Sequence, residues 1–110
     1  MARKRPHPVG LIDLKTLKAV AEGFNEKAGG GRIRWYSQEA WAERDEPYGQ
    51  GSVLTALIED HGLGMLLNRA ETDYAYALQD QFYSAVAALG WHAELGTSWS
   101  LHFYRGMNAE

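Results

Sequence analysis

Two stretches of the chain carry apolar residues at the three- and four-residue spacing of a helix face. The first predicts a helix that runs to about Lys27 and is ended by the glycines at 29–31. Its apolar positions are Leu11, Leu14, Leu17, Val20, Ala21 and Phe24. The second predicts a long helix after Asn68, which forms a capping-box pattern with Glu71, and ends it at Gly90. Its apolar positions are Tyr74, Leu78, Phe82, Val86 and Leu89.

Between these helices, the hydrophobic pattern indicates two strands and a loop. Residues 32–37 alternate, with Ile33 and Trp35 on one face and Arg32, Arg34 and Tyr36 on the other. Residues 52–60 fit a buried strand or a helix face, and we favour the strand, followed by a turn and a short helix. Residues 38–51 are polar and acidic, which is typical of a long surface loop.

The C-terminal segment 91–105 predicts a β-hairpin, because apolar and polar residues alternate on both sides of residues 96–98. A three-residue loop keeps the apolar residues on one face by pairing Leu95 with Trp99, and it places His92 opposite His102 on the polar face. Trp99 is then a core residue. We expect Trp99→Ala to cost roughly 3–5 kcal/mol, and His102→Ala to cost within about 1 kcal/mol.

This order of elements predicts an α+β fold in which helices pack on one face of a mainly antiparallel sheet of about four strands. Residues 11–110 are expected to form a single domain, and residues 1–10 a flexible basic tail. At 110 residues the chain has the length of one small domain.

Composition narrows the class of protein. The chain has no cysteine, which excludes disulfides and thiolate metal sites and suits the cytoplasm. No apolar run is long enough to span a membrane. The net charge of −3 argues against broad attraction to nucleic acid.

The sequence contains few candidate catalytic, metal-ligating or phosphate-binding residues. His92 and His102, with Glu94, have the side chains of a metal site, but their spacing matches no known metal motif. The glycines near residue 50 lack the lysine of a phosphate-binding loop, and residues 59–62 read most simply as a turn. We therefore predict no catalytic residue, metal site or cofactor.

The polar face of the sheet is the predicted binding surface, because tyrosine and arginine are enriched among the anchors of protein interfaces. Its residues are Arg32, Arg34, Tyr36, His92, Glu94, His102 and Tyr104. Trp41 is expected to pack the 38–51 loop down rather than to stand exposed. These features predict a non-catalytic protein of the adaptor, immunity or inhibitor type, as found in phage, plasmid and toxin systems. It would bind a protein partner through this face and the acidic 38–51 loop.

Three alternatives stay open. Aromatic and arginine side chains on an open sheet also suit single-stranded nucleic acid. A metal-dependent enzyme would use His92 and His102. An exposed edge strand or sheet face leaves a homodimer open.

Overall fold

A computed structural model describes residues 11–58 and 62–106, and it has the predicted α+β fold. The predicted tail at 1–10 lies outside the described residues. The described residues form four helices and four strands in the order α1 (Leu11–Lys27), β1 (Arg34–Ser37), α2 (Gln38–Glu43), β2 (Leu54–Leu57), α3 (Leu63–Asn68), α4 (Asp73–Ala88), β3 (Trp91–Thr97) and β4 (Ser100–Arg105). Within the described part, no helix is long and apolar enough to cross a membrane.

The four strands form one antiparallel sheet in the order β1-β2-β4-β3. Residues 54–57 are a strand, as favoured from the sequence, and β2 pairs with β4 through Leu54 and Phe103. Both residues are buried. The two central strands of the sheet are thus β2, from the middle of the chain, and β4, from the C-terminal hairpin.

Helices α1, α3 and α4 cover one face of the sheet and build the hydrophobic core with it. The apolar stripes predicted from the sequence meet there, as in the edge-on contact of Phe24 with Phe82 at 5.6 Å between ring centroids. The stripe of α4 is buried at its centre but not at its ends, where Tyr74 and Leu89 are exposed. The core cluster consists of Leu17, Ala21, Leu54, Ala56, Ile58, Leu63, Leu66, Leu67, Leu78, Phe82, Val86, Trp91, Ala93, Leu101 and Phe103.

The capping box predicted for α4 is wrong. The helix begins after Thr72, whose Oγ1 accepts a hydrogen bond from the Ala75 amide at 3.0 Å. Asn68 instead ends α3, and its Nδ2 donates to the carbonyls of Gly64 and Ser98. Its amide is therefore used to hold the hairpin turn against α3.

The hairpin register differs from the predicted one by two residues. His92 pairs with Tyr104, and Glu94 pairs with His102. The register shifts between Leu95 and Thr97, so that Gly96 has no partner and the turn consists of Ser98 and Trp99. The predicted proximity of His92 to His102 is therefore wrong, and Trp99 lies in the turn rather than in a strand.

The predicted loop at 38–51 begins with the short helix α2. Ser37 caps it, with its Oγ accepting from the Ala40 amide at 3.1 Å. Trp41 is only 3% exposed, so the expectation that it packs this segment down is confirmed. Its ring contacts Tyr36 and His102, which point away from the main core, so α2 lies on the second face of the sheet.

Candidate functional site

The centre of the second sheet face is covered rather than open. Trp41 and Tyr48 lie over His102, with ring centroids 5.1 and 5.9 Å from the imidazole. The indole Nε1 of Trp41 donates to the Tyr48 carbonyl at 3.1 Å, which ties α2 to the segment that follows it. His102 is consequently 1% exposed, and the sequence-based expectation that it faces solvent is wrong.

Two glycines make this close packing sterically feasible. A Cβ on Gly49 or on Gly96 would collide with the imidazole of His102. Gly49 also has a φ of +72°, a conformation that other residues rarely adopt. Gly49 therefore lets the backbone of this segment approach the His102 ring.

A chain of hydrogen bonds holds His102 on both sides. Thr55 Oγ1 lies 2.8 Å from Nδ1, and Ser100 Oγ lies 3.0 Å from Nε2. The chain extends to Ser52 at 3.2 Å from Thr55, and to Thr97 at 3.1 Å from Ser100. Both ring nitrogens are thus occupied by hydroxyl groups of the protein.

Burial lowers the pKa of His102, against a smaller opposing effect of Glu94. The imidazole is therefore neutral at pH 7, with one nitrogen donating and the other accepting a hydrogen bond. Ser52, Thr55 and Ser100 are themselves at most 2% exposed. The arrangement fixes the covered face as a small polar core, and it offers no exposed nucleophile or base to a substrate.

The residues predicted to bind a partner fall into separate places. Arg32 and Arg34 are exposed at the β1 side of the sheet. Tyr36, also on β1, is partly covered by Arg44, whose guanidinium carbon lies 5.3 Å from the ring centroid. The remaining residues lie on the hairpin, beyond the buried His102.

On the hairpin, His92, Glu94 and Tyr104 do form one cluster. His92 Nε2 lies 2.8 Å from a carboxylate oxygen of Glu94, and both side chains are more than half exposed. The ring centroids of His92 and Tyr104 are 6.4 Å apart. Partial burial, and secondarily Glu94, raises the pKa of Tyr104, so its phenol stays uncharged and able to donate a hydrogen bond at neutral pH.

Two further aromatic residues extend this cluster. Trp99 is 37% exposed and packs edge-on against Tyr48, with centroids 5.9 Å apart and ring planes at 85°. Tyr48 in turn lies over His102, the cross-strand partner of Glu94. We call the resulting surface the hairpin patch; its residues are Tyr48, His92, Glu94, Trp99 and Tyr104.

Sequence reasoning placed Trp99 in the core, and it assigned Tyr48 to the surface loop without singling it out as a site residue. A two-residue turn at 98–99 would have placed Trp99 at the surface. Such a turn is compatible with the apolar pattern once Gly96 is left unpaired. Nothing in the sequence indicates that Tyr48, ten residues beyond the start of α2, folds back over β4.

Segment 38–51, predicted to contact a partner, borders a cavity of about 270 Å³. Trp41, Asp45, Glu46 and Ser52 are among the residues that line it. Glu46 is paired with Arg44 at 3.1 Å. The segment therefore presents acidic groups next to the buried aromatic cover.

The geometry gives no metal centre within residues 11–58 and 62–106, where no three histidine, aspartate or glutamate side chains converge. His92 and Glu94 are adjacent, but the nitrogens of His102 are turned to Thr55 and Ser100.

Comparison with protein-family models, curated proteins and solved structures finds no match to this chain.

Proposed function

We propose that this protein is a non-catalytic binding protein that engages a protein partner through the hairpin patch. The observation that carries the proposal is Trp99, a large aromatic side chain held in a fixed position at the tip of the hairpin while more than a third exposed. Tryptophan and tyrosine are enriched among the residues that contribute most of the energy of protein interfaces.

Contacts within the chain also support the patch. Trp99 rests on Tyr48, and the Trp99 amide is held by the Thr97 hydroxyl at 3.2 Å. The hydrogen-bonded chain around His102 fixes the strand beneath Tyr48. Side chains that are already immobilised lose little conformational entropy on association, which favours affinity.

The acidic segment 38–51 adjoins the patch through Tyr48 and adds a charge preference. Asp45 and Glu46 lie three and two residues before Tyr48. We expect the partner to place basic side chains beside its apolar contact with Trp99, because complementary charge steers association. An adaptor, immunity or inhibitor protein acting in the cytoplasm would work in this way.

Site-specific photo-crosslinking tests the proposal. Benzoylphenylalanine is introduced in place of Trp99 in one variant and in place of Tyr76 in a control, since Tyr76 is 53% exposed on α4. We expect position 99 to crosslink one protein in the cells that express this chain, and position 76 to give no such product. Trp99→Ala in a tagged copy should weaken capture of that protein about tenfold or more. Equal crosslinking from both positions would refute the proposal that the partner binds at the hairpin patch.

The alternatives receive less support. A nucleic-acid site would use Arg32, Arg34, Tyr36, His102 and Tyr104, but His102 is buried, and β2 lies between β1 and the hairpin. Oligonucleotide titration at low salt tests it, and Kd below about 100 μM with a steep salt dependence would favour it. Zinc titration tests whether the protein is a metal-dependent enzyme, and sedimentation tests whether it is a homodimer.

A further inference from the structure

A groove lies on the helical side of the molecule, on the face of the sheet opposite the hairpin patch. It is formed by the end of α1, by α3 and by the first turns of α4, and its volume is about 240 Å³. That volume accommodates one or two large apolar side chains. The residues lining it are Lys27, Ala28, Met65, Leu66, Arg69, Ala70, Tyr74, Ala75 and Leu78.

The groove is apolar and carries exposed large side chains. Met65 is 42% exposed and Tyr74 is 69% exposed, although both lie beside the buried Leu66 and Leu78. Methionine adapts its shape to different ligands, and tyrosine adds contact area at low entropic cost. Exposed side chains of this kind lose contact with water when a binding partner covers the groove.

Charge identifies the chemistry of that partner. The only ionisable groups among the lining residues, apart from the Tyr74 phenol, are the cations Lys27 and Arg69. Lys27 Nζ lies 5.1 Å from the centroid of Phe24, and neither cation pairs with a carboxylate within residues 11–58 and 62–106. The chain as a whole has a net charge of −3, so this basic rim runs against the overall charge.

We propose that the groove binds an amphipathic helix of a partner protein whose apolar face is flanked by acidic residues. Its apolar side chains would enter between Met65 and Tyr74, and its carboxylates would pair with Lys27 and Arg69. Small residues at Ala28, Ala70 and Ala75 let a helix backbone approach the groove closely. Because the groove and the hairpin patch lie on opposite faces, the proposal does not depend on the function proposed above, and the two sites together would let the protein bridge two partners.

Fluorescence anisotropy with synthetic helical peptides tests the proposal. One labelled peptide of ~14 residues carries leucine on one face and glutamate beside it, and its twin carries lysine in place of every glutamate. We expect the glutamate peptide to bind about tenfold more tightly or better, and Arg69→Glu with Lys27→Glu to reverse that preference. Met65→Glu should weaken the glutamate peptide by a similar factor.

Controls separate this site from the rest of the surface. Arg32→Glu changes an exposed arginine outside the groove and should leave both affinities unchanged. Trp99→Ala should also have no effect, which keeps failure of the hairpin patch distinct from failure of the groove. The exchanged groove residues Lys27, Met65 and Arg69 are exposed, and circular dichroism checks that each variant folds.

Three results would overturn the proposal. One is equal affinity for the two peptides, or no binding up to about 1 mM. Another is a dimer in sedimentation that Arg69→Glu dissociates, because the occupant would then be a second copy of this chain. The third is binding of dodecanoate that Lys27→Glu abolishes, without binding of either peptide, because the ligand would then be a lipid.

Discussion

Replacing Trp41 with alanine tests whether the second sheet face is a true core. Trp41 is the main contact of α2 with the sheet: its indole is 3% exposed and packs against Tyr36 and His102. Its Nε1 donates to the Tyr48 carbonyl, and the Arg44 guanidinium carbon lies 5.0 Å from its ring centroid. Alanine removes all these contacts and leaves His102 covered by Tyr48 alone of the two rings.

The size of the effect follows from this burial. Truncating a buried tryptophan costs about 3–5 kcal/mol, and the lost hydrogen bond adds about 1 kcal/mol. That is a large part of the roughly 5–15 kcal/mol by which small domains are stable. Trp41→Phe keeps a ring in place and loses chiefly the indole hydrogen bond and part of the packing, so we expect about 1–2 kcal/mol. Trp99→Ala should also cost only about 1–2 kcal/mol, because Trp99 is 37% exposed.

Urea unfolding followed by far-ultraviolet circular dichroism measures the three free energies under one set of conditions. The expected order of destabilisation is Trp41→Ala first, with Trp41→Phe and Trp99→Ala well below it. If Trp99→Ala destabilised the protein as much as Trp41→Ala, the assignment of Trp41 to a core and Trp99 to the surface would be refuted.

Three further predictions concern the packing around His102 and a buried asparagine of α1. Because burial lowers the pKa of His102, the unfolded state binds a proton at this residue more readily than the folded state. The free energy of unfolding should therefore decrease as the pH falls below the ordinary pKa of 6.5, by up to about 1.4 kcal/mol per pH unit. Urea titrations at pH 7.0 to 5.5 check this, and a His102→Gln variant with the same pH dependence would contradict it. Gly49→Ala should destabilise by about 1–3 kcal/mol more than Gly51→Ala, because both have positive φ but only Gly49 abuts the imidazole; equal thermal melts would show that the ring moves aside. Asn25→Ala should cost about 2–3 kcal/mol, because buried Asn25 accepts from the Leu63 amide at 2.7 Å; a loss below about 0.5 kcal/mol in urea unfolding would contradict this.

The helices and strands could be predicted from the sequence wherever one hydrophobic period dominates. The spacing from Leu14 to Phe24 and from Leu78 to Val86 matches two helices, and the alternation in 91–105 matches a hairpin. These signals are strong because each element buries one face against the same core. The helical layer on an antiparallel sheet follows from joining them.

The features that the sequence did not predict depend on contacts between distant residues. Helix α2 has six residues, too few to show a period, and it forms because Ser37 caps it and Trp41 is buried. The hairpin register depends on the turn at 98–99 and on one unpaired glycine, Gly96, which together displace the pairs of residues 91–95 by two from the predicted register. His102 is polar by type, and its burial reflects the segment that folds over it.

The candidate site was predictable only in part for the same reason. His92, Glu94 and Tyr104 were placed correctly on the face away from the long helices, since alternation alone determines that. Trp99 is apolar by type and was therefore predicted to be internal, whereas its place in the turn puts it at the surface. A surface built from a turn residue and a long-range contact leaves no periodic trace in the sequence.

The strand order also constrains how the protein folds as it is synthesised. β4 is the last strand in the sequence, yet it lies inside the sheet between β2 and β3. Until residues near 105 have left the ribosome, β2 has no partner on its inner side, and Leu54 and Ala56 have a strand beside them only at β1. The sheet therefore stays incomplete until nearly all of the described residues have been synthesised. A truncation after β3 would remove a central strand of the sheet rather than an edge strand.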